Sequence, residues 1–449
     1  MIKQLGNVFS RFSERYMPEP IIFAVLLTLV TFLLGLFLTD TGIVGMVDHW
    51  YSGFWDLLAF TMQMVMILVT GHALATAPVV KRFIQATAER PGNSAQAAAL
   101  TALVACMFSW VNWALGLIVG AIFALEMGKA AYRKGIKLHY PLIVAAGYSG
   151  QMVWHMGPSS SSGLTVATEG HFLEEAIGII PITETAFSSY ALLLSAMFIL
   201  FLVPLVFFLM TPRNQDEVNG IDHYAPQLLK EEAPEEVPSD YERSIGERLD
   251  SGWFTVILIA LAGSYAVMHF SRNGFDLNLN IVNFMFLFLG LMLHRTPVNY
   301  MHAVTDATKG ASGIILQFPF YGGIMGMVTL SGLAVIFIDA MLSIATPGTL
   351  PVLTWFSAGL LNIFVPSGGG QWAVQGPILV EVAKELEVSV GRIIIAFGAG
   401  DTWTNMFQPF WALALLGITG VKAKHIMGYC MVLMLVSIPF YIVGLTFFS

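Results

Sequence analysis

The chain has 449 residues, of which 56% are hydrophobic and only 11% are charged. Because soluble globular domains carry roughly a quarter of their residues as charged side chains, this composition excludes a soluble enzyme and predicts a polytopic membrane protein. The formal net charge is -8, but residues 211–250 hold eleven acidic and four basic residues, so the rest of the chain is nearly neutral. No nucleic-acid partner and no cofactor are predicted.

The amino-terminal residues 1–19 form a basic, amphipathic lead with Lys3, Arg11 and Arg15. Under the positive-inside rule these charges predict a cytoplasmic amino terminus. An apolar helix needs about 20 residues to cross the hydrocarbon core of a bilayer. By that measure nine crossings are predicted, over residues 20–39, 54–77, 141–157, 186–210, 252–271, 278–294, 313–337, 392–408 and 425–447.

A further apolar segment, residues 93–128, lies between two basic loops at 81–90 and 129–137 that both belong on the cytoplasmic side. Its 36 residues are too few for two full crossings of about 20 residues and a turn. The middle of the segment is the polar sequence SWVNW at 109–113. We therefore predict a re-entrant helical hairpin that enters the membrane from the inside.

Residues 350–385 repeat this arrangement around Asn362 and the sequence PSGGG at 366–370. The additional crossing at 252–271 makes the second half begin on the opposite side of the membrane, so its hairpin enters from the outside. The predicted architecture is all-α, with about nine transmembrane helices and two re-entrant hairpins in inverted repeats.

The same reasoning divides the chain into four parts after the charge and hydropathy pattern. They are a cytoplasmic lead (1–19), a first membrane repeat (20–210), an acidic cytoplasmic linker (211–250), and a linking span with the second membrane repeat (251–449). The linker is acidic and contains four prolines, a composition typical of a solvated segment.

Two polar, glycine-rich motifs stand 251 positions apart inside apolar segments: AGYSGQMVWHMGP at 146–158 and FGAGDTWTNMFQP at 397–409. Paired interruptions of this kind indicate the binding site of a transporter built from repeats. Helix breaks are predicted at residues 147–150 and 398–401. The exposed amides and carbonyls at such breaks can bind anions and cations.

No Lys or Arg lies deep in a predicted span, so an anionic substrate must be held by helix N-termini, by polar side chains or by a co-bound cation. Tryptophans on the repeat motifs would line an apolar pocket, which suits a small amphiphile with a carboxylate. The predicted substrate-binding residues are Ser109, Asn112, Trp113, Trp154, His155, Asn362, Ser367, Gly368, Gly369, Trp403 and Asn405.

Asp401 is the one acidic residue inside a repeat motif, and an ionisable group in a membrane segment is a functional candidate by default. It could bind a cation or carry a proton, and His155 could titrate near neutral pH. The serine run at 159–162 could satisfy freed backbone groups or line a vestibule. The candidates for binding a coupling ion, a proton or sodium, are Asn112, Ser149, Asn362, Asp401 and Thr402.

The sequences VPSGGGQWAVQGP at 365–377 and GYSGQMVWHMGP at 147–158 resemble those of the bacterial short-chain fatty acid transporter family, which includes acetoacetate and butyrate permeases. This resemblance extends over essentially the whole chain. It implies uptake of short-chain monocarboxylates across the bacterial cytoplasmic membrane, with a proton or sodium as the co-transported ion. It also implies a homodimer in the bilayer, with a static scaffold and a moving transport domain.

More distantly, the two hairpins resemble those of the ion transporter superfamily that contains dicarboxylate/sodium symporters. In that superfamily the hairpin tips commonly carry Ser-Asn-Thr, which is absent from the corresponding places at 109–113 and 362–370. A passive channel or uniporter for small monocarboxylates shares every one of these sequence features except the need for coupling, and only transport against a gradient distinguishes it.

A rival from another class is an intramembrane aspartyl protease, because residues 398–401 match the pattern G-x-G-D. That chemistry requires two carboxylates, one ionised and one protonated. Asp306 and Asp339 are the only candidate partners for Asp401, and neither follows a Tyr as the second motif of that enzyme family requires. The sequence therefore favours a transporter over an enzyme.

Overall fold

The computed structural model describes residues 20–212, 218–229, 250, 252–363 and 365–447, and these contain helices and no strand. The α-helices of the first half are, in chain order, α1 (Pro20–Leu38), α2 (Ile43–Phe54), α3 (Leu58–Ala75), α4 (Pro78–Ala88), α5 (Ser94–Val111), α6 (Trp113–Lys134), α7 (Tyr140–Tyr148), α8 (Ser161–Val166), α9 (Glu174–Ile177), α10 (Ser189–Ala196), α11 (Val203–Leu209) and α12 (Ile221–Tyr224).

The second half continues with α13 (Gly252–Asn273), α14 (Leu279–His294), α15 (Pro297–Thr308), α16 (Ser312–Leu330), α17 (Leu333–Leu342), α18 (Leu350–Asn362), α19 (Gly368–Glu385), α20 (Val390–Trp403), α21 (Leu413–Thr419) and α22 (Ala423–Phe447). The architecture is thus all-α, as the sequence predicts. A π-helical segment, Met197–Leu202, joins α10 to α11 into one apolar rod.

Eight helical stretches in the described residues are long and apolar enough to cross a membrane: α1, α3, α5, α6, the rod from α10 to α11, α13, α16 and α22. Six of them coincide with predicted crossings. The two others, α5 and α6, are the arms of the first predicted hairpin, and they occupy 18 and 22 residues because their turn consumes a single residue.

Three predicted crossings are not continuous helices of that length. Two of them change from α-helix to 3-10 helix inside the two polar, glycine-rich motifs, at Ser149–Met152 after α7 and at Thr404–Met406 after α20. The third is α14, which has 16 residues. The first break lies where it is predicted. The second prediction is wrong by three residues, because 398–401 are still α-helical and tightly packed inside α20.

The two basic loops lie on the same side of the molecule, as the charge pattern predicts. Lys134, at the end of α6, lies 2.9 Å from the carboxylate of Glu89, the residue after α4. Hydrogen bonds from Lys134 and Arg133 lower the pKa of Glu89 from its ordinary value. The ends of α4 and α6 are thereby tied together at the surface.

Residues 1–19, the predicted lead, lie outside the described residues, as does most of the predicted linker. The described stretch 218–229 packs on both halves, since the ring of Tyr224 lies 5.0 Å from that of His425 and a Cβ on Gly420 would lie 2.9 Å from Ala225. The backbone N–H of Tyr140 donates to the carbonyl of Asn219 over 3.0 Å, and Ile221 is buried against the helices there. This stretch of the linker is therefore docked on the membrane helices.

The two predicted hairpins differ in shape. Helices α5 and α6 pack along one another, and one residue, Asn112, separates them. Helices α18 and α19 are separated by five residues, and α18 packs chiefly on α20. The second tip is therefore wider than the first.

Candidate functional site

The second arm of each predicted hairpin begins with a polar cap. Asn112 caps α6, its side-chain Oδ1 accepting the backbone N–H of Leu115 over 2.9 Å. Ser367 caps α19, its Oγ accepting the backbone N–H of Gly370 over 3.3 Å. The N–H groups of a first helical turn have no partner within the helix, so each of these buried starts presents a positive dipole end; at α6 the N–H of Leu115 is taken by the cap and that of Trp113 by the hydroxyl of Ser159.

The two helix starts approach one another at a single side chain, Trp154. The ring of Trp113, the first residue of α6, lies 6.0 Å from the ring of Trp154. On the other side, a Cβ placed on Gly368, the first residue of α19, would lie 2.7 Å from Trp154 and 2.8 Å from His155. Glycine is therefore required at position 368, because any side chain there would displace these rings.

A buried, hydrogen-bonded pair of side chains, His155 and Asp401, lies beside this junction. Nδ1 of His155 is 2.8 Å from Oδ2 of Asp401, and neither side chain is more than 2% exposed. The imidazole stacks on Trp154, with ring centroids 4.2 Å apart and planes within 5°. The other ring nitrogen, Nε2, accepts the backbone N–H of Ser162 over 3.2 Å and lies at the same distance from the hydroxyl of Ser162.

A second polar cluster follows the break in α20. The Nδ2 of Asn362 donates to Oγ1 of Thr404 and to Oδ1 of Asn405, both over 3.0 Å. Gln408 donates to the carbonyl of Asn362 over 3.1 Å, and the hydroxyl of Tyr148 donates to the carbonyl of Asn405 over 3.0 Å. This cluster connects the end of α18 to both broken helices.

Several predicted site residues are used for packing or local bonds. Ser109 is buried against Gly116 and Gly150, and its hydroxyl has no partner among the described residues. Ser149 and Thr402 donate to carbonyls of their own helices, those of Ala146 and Gly398. Ser109 therefore serves packing, and Ser149 and Thr402 make bonds within their own helical segments.

Trp403 lies apart from Trp154, against a different face of the protein. Its ring centroid is 4.4 Å from that of Trp355, and its indole N–H donates to the carbonyl of Met434 over 2.9 Å. Gly369 faces the opposite direction, towards Phe60. Of the predicted substrate residues, Trp113, Trp154, His155, Ser367 and Gly368 therefore form one continuous group.

Ser162, which bonds to the imidazole, was not among the predicted site residues, and neither was Gln408; the serine run 159–162 was expected only to satisfy backbone groups or to line a vestibule. Ser159 accepts the backbone N–H of Trp113 over 3.3 Å, so the serine run contacts the start of α6 as well as the imidazole. The signal in the sequence is the four-serine run itself, which stands seven residues or fewer after His155.

A cavity of about 850 Å³ opens near this site and is lined by residues that follow α8 and by the outer ends of α3, α16 and α19. Four carboxylates lie on its wall, those of Asp56, Glu169, Glu175 and Glu381, and its lining in the described residues includes no Lys or Arg. We call this cavity the acidic vestibule.

The floor of the acidic vestibule reaches the site. Phe60 lines the cavity and also contacts the start of α19, because a Cβ on Gly369 would lie 2.9 Å from its ring. Thr165 lines the cavity from α8, the short helix that carries Ser162. Phe60 lies between Phe172 and Phe318, with ring centroids 5.8 and 5.7 Å away. Aromatic rings therefore separate the acidic vestibule from His155 and Asp401.

The nearest basic side chain on α20 does not face this site. Arg392 donates to the carbonyls of Leu445 and Thr446 at the end of α22. Asp306 and Asp339, which would be required for aspartyl chemistry, are exposed on other helices, and Asp306 is paired with Lys309 over 2.7 Å. The site thus offers one carboxylate, one imidazole, hydroxyls and helix starts.

Comparison with known proteins identifies the group to which this arrangement belongs. The family model described as "Short chain fatty acid transporter" matches residues 1–448. The chain belongs to the short-chain fatty acid transporter family. It is 41% identical over 451 residues to a protein of Escherichia coli (strain K12) and 38% identical over 455 residues to one of Haemophilus influenzae (strain ATCC 51907 / DSM 11121 / KW20 / Rd), both named "Putative short-chain fatty acid transporter".

Both matches cover 100% of this chain and 100% of the relative. Membership of this family shows a transporter and not an enzyme. A solved structure with a similar fold is that of the Alcanivorax borkumensis YdaH transporter, with a TM-score of 0.60, 14% identity and coverage of 96% of this chain and 97% of the other. That crystal structure is described as having an unusual topology. The fold of this family member is therefore that of a multi-pass membrane transporter.

Proposed function

We propose that this protein is a secondary active transporter that takes up short-chain monocarboxylates, such as butyrate and acetoacetate, across the bacterial cytoplasmic membrane. The energy comes from a proton or sodium gradient. The observation that carries the proposal is the meeting of two capped helix starts, those of α6 and α19, at the stacked pair Trp154 and His155. Such starts bind anions, and the indole rings supply an apolar surface for a short acyl chain.

The order of helices supports a repeated architecture. The series α1 to α7, with its 3-10 continuation, is matched in order by α14 to α20 with theirs, including the short pairs α2 with α15 and α4 with α17. The packing is reciprocal, since α1 and α2 pack on α16 while α14 and α15 pack on α3. Helix α13 has no counterpart in the first series, and one additional crossing between the halves inverts the second repeat.

The positions of the tips support re-entrant hairpins. The Nδ2 of Asn112 donates to the carbonyl of Ile67, which stands at the middle of α3. The start of α19 lies against Phe318 and Tyr321 near the middle of α16, where a Cβ on Gly369 would be 3.3 Å from Phe318. Because α3 and α16 are long enough to span the bilayer, both tips would lie close to its midplane.

The acidic vestibule would be the entrance on the outer side. Its lining includes Glu169 and Glu175 from segment 158–185, which carries four glutamates and no Lys or Arg and would lie outside under the positive-inside rule. Phe60 would close the path from this entrance to the site, so the structure corresponds to an outward-open vestibule above an occluded centre. Alternating access would then require the groups at the start of α19 to become accessible from the cytoplasmic side.

The proposal is tested by transport into liposomes that contain the purified protein. Labelled acetoacetate and butyrate are added with proton and sodium gradients imposed separately, and initial rates are measured after subtraction of the rate into protein-free liposomes. That subtraction is necessary because undissociated short-chain acids cross lipid unaided. We expect protein-dependent uptake that one of the two gradients accelerates.

Counterflow without any ion gradient provides the companion measurement. A symporter exchanges labelled external substrate for unlabelled internal substrate, and a gradient adds net accumulation. Equilibration that neither gradient accelerates would identify a uniporter or channel instead. Absence of counterflow with both acids would contradict the proposed substrate class.

A further inference from the structure

We infer that Asp401 and His155 form a single proton-binding site that couples transport to the proton gradient, with Ser162 as the group that accommodates both protonation states. This inference rests on the proposed function, since it names the co-transported ion of the same site. The two side chains come from the two repeat motifs, 246 positions apart, and meet at 2.8 Å in the buried centre. Neither family membership nor the sequence pattern by itself predicts that these two side chains are in contact.

The hydrogen bonds define the state of the pair. A backbone N–H can only donate, so Nε2 of His155 accepts from Ser162 and carries no proton. The proton of the neutral imidazole is then on Nδ1 and is donated to the carboxylate of Asp401. In this state the pair holds one negative charge in a site with almost no solvent exposure.

Uptake of one proton is chemically balanced at the same atoms. The proton binds at Nε2, which gives an imidazolium next to a carboxylate and changes the net charge of the pair from minus one to zero. The new Nε2–H requires an acceptor, and the hydroxyl oxygen of Ser162 lies 3.2 Å away. Ser162 thus offers a donor to the neutral ring and an acceptor to the charged ring, and release of the proton reverses the step.

Other charged groups on the surrounding helices are distant or already paired. On α20, Arg392 precedes Asp401 by nine residues, about 13 Å along a helix, and binds the end of α22. On α19, Glu381 and Lys384 bind each other over 2.9 Å at the far end of that helix, where the exposed Glu385 is its last residue. Described titratable groups on the other packed elements are Cys106 on α5, Tyr190 on α10, and Lys424, His425, Tyr429, Cys430 and Tyr441 on α22; α8 and α18 carry no acidic or basic residue.

The location explains how the proton and the substrate would depend on one another. The start of α19 touches the imidazole, because a Cβ on Gly368 would be 2.8 Å from Cε1 of His155. A carboxylate bound there would be repelled by the deprotonated pair and not by the protonated pair. The four carboxylates of the acidic vestibule also favour cations over anions at the entrance, so protons would be concentrated before the anion enters.

The environment of Asp401 is better suited to a proton than to sodium. Its Oδ2 is occupied by an imidazole nitrogen, whereas hard cations are held by sets of oxygen ligands. The neighbouring hydroxyl of Thr402 donates to the carbonyl of Gly398 over 2.8 Å. Within the described residues, no group of three or more acidic, histidine or cysteine side chains is arranged so that it could hold a metal ion.

The test uses Asp401→Asn in liposomes with labelled acetoacetate. Asparagine keeps the shape of the side chain but removes the negative charge that would stabilise a proton on Nε2 of His155. We expect measurable counterflow but no accumulation driven by an inward proton gradient; in wild type that gradient supports about tenfold accumulation per pH unit at equilibrium for one proton per substrate. In wild type the KM for counterflow should rise with pH, and in the variant it should be independent of pH.

Thr101→Val is the matched control, since it removes a fully buried hydroxyl from α5 that bonds only to the carbonyl of Ala97. It should retain wild-type coupling. If Asp401→Asn does not fold, His155→Gln replaces it. We then expect the pH dependence of KM to change, because the ring nitrogen that binds the proton has been removed.

Three outcomes would overturn the inference. One is a wild type with active counterflow that is accelerated by sodium alone. Another is a folded Asp401→Asn protein that still responds to the proton gradient. The third is a folded variant that loses counterflow together with accumulation, which would make Asp401 a substrate ligand. Wild-type protein without counterflow would instead refute the proposed substrate class, so the two failures are distinguishable.

Discussion

At the residue scale, glycine at position 368 controls the space beside Trp154 and His155. We predict that Gly368→Ala raises the KM for acetoacetate at least about fivefold, because one methyl group forces two stacked rings from the start of α19 and overpacking of this kind costs about 1–3 kcal/mol. Counterflow at a series of acetoacetate concentrations measures the effect.

Gly417→Ala is the matched control for this substitution. Gly417 also lies in a helix, α21, but a Cβ there would meet nothing within 4 Å. It should leave KM unchanged and stabilise the helix slightly, since alanine loses less backbone freedom on folding. An unchanged KM in both variants would show that the space at position 368 is not part of the binding site.

At the scale of elements, the crossing of α2 and α16 depends on close backbone contact. A Cβ on Gly322 would lie 2.5 Å from the carbonyl oxygen of Gly53, and one on Gly326 would lie 2.5 Å from that of His49. Small residues allow such crossings in membranes, where packing drives association. We predict that Gly322→Ala destabilises the protein by about 1–3 kcal/mol, measured as a lower midpoint of thermal unfolding in detergent.

Gly263→Ala is the reference for that measurement, because a Cβ on Gly263 in α13 would meet nothing within 4 Å. It should leave the unfolding midpoint unchanged or raise it. Equal midpoints for Gly322→Ala and wild type would mean that the two helices do not approach as closely as the structure shows.

The elements also show what the sequence could predict. Helix lengths follow from the bilayer, which imposes about 20 apolar residues per crossing, so five crossings were predicted closely, while the sixth, 313–337, was predicted to extend seven residues beyond the end of α16 at Leu330. The second helix break was misplaced by three residues, because glycines at 398 and 400 lower helix propensity, while their small size lets α20 continue as a helix with Gly400 against α18 and Gly398 against His155.

The site could be predicted only in part. Hydropathy and motif spacing selected His155 and Asp401 separately, since a polar residue in an apolar segment is visible in the sequence itself. Their contact, and the bond to Ser162, depend on how two motifs 246 positions apart face each other across the molecule. Likewise Asn112 aligns with Asn362 by number, yet in its role as helix cap it matches Ser367, because the second tip is five residues wide.

At the scale of the whole molecule, the proposed transport path has two ends. The acidic vestibule marks one end, and the basic loops joined at Lys134 and Glu89 mark the other. The positive-inside rule assigns the basic end to the cytoplasm. Orientation and access can therefore be tested together with cysteine substitutions, since Cys106 and Cys430 are both fully buried.

We predict that Ala59→Cys, on the wall of the acidic vestibule, reacts in intact cells with a membrane-impermeant maleimide. Lys137→Cys, in the exposed loop after α6, should react only after the cells are permeabilised. Adding acetoacetate at low external pH should slow the labelling of Ala59→Cys, because binding of substrate and proton moves the protein away from its outward-open state. The reverse pattern of labelling would invert the assigned orientation, and a labelling rate that substrate does not change would contradict alternating access through this vestibule.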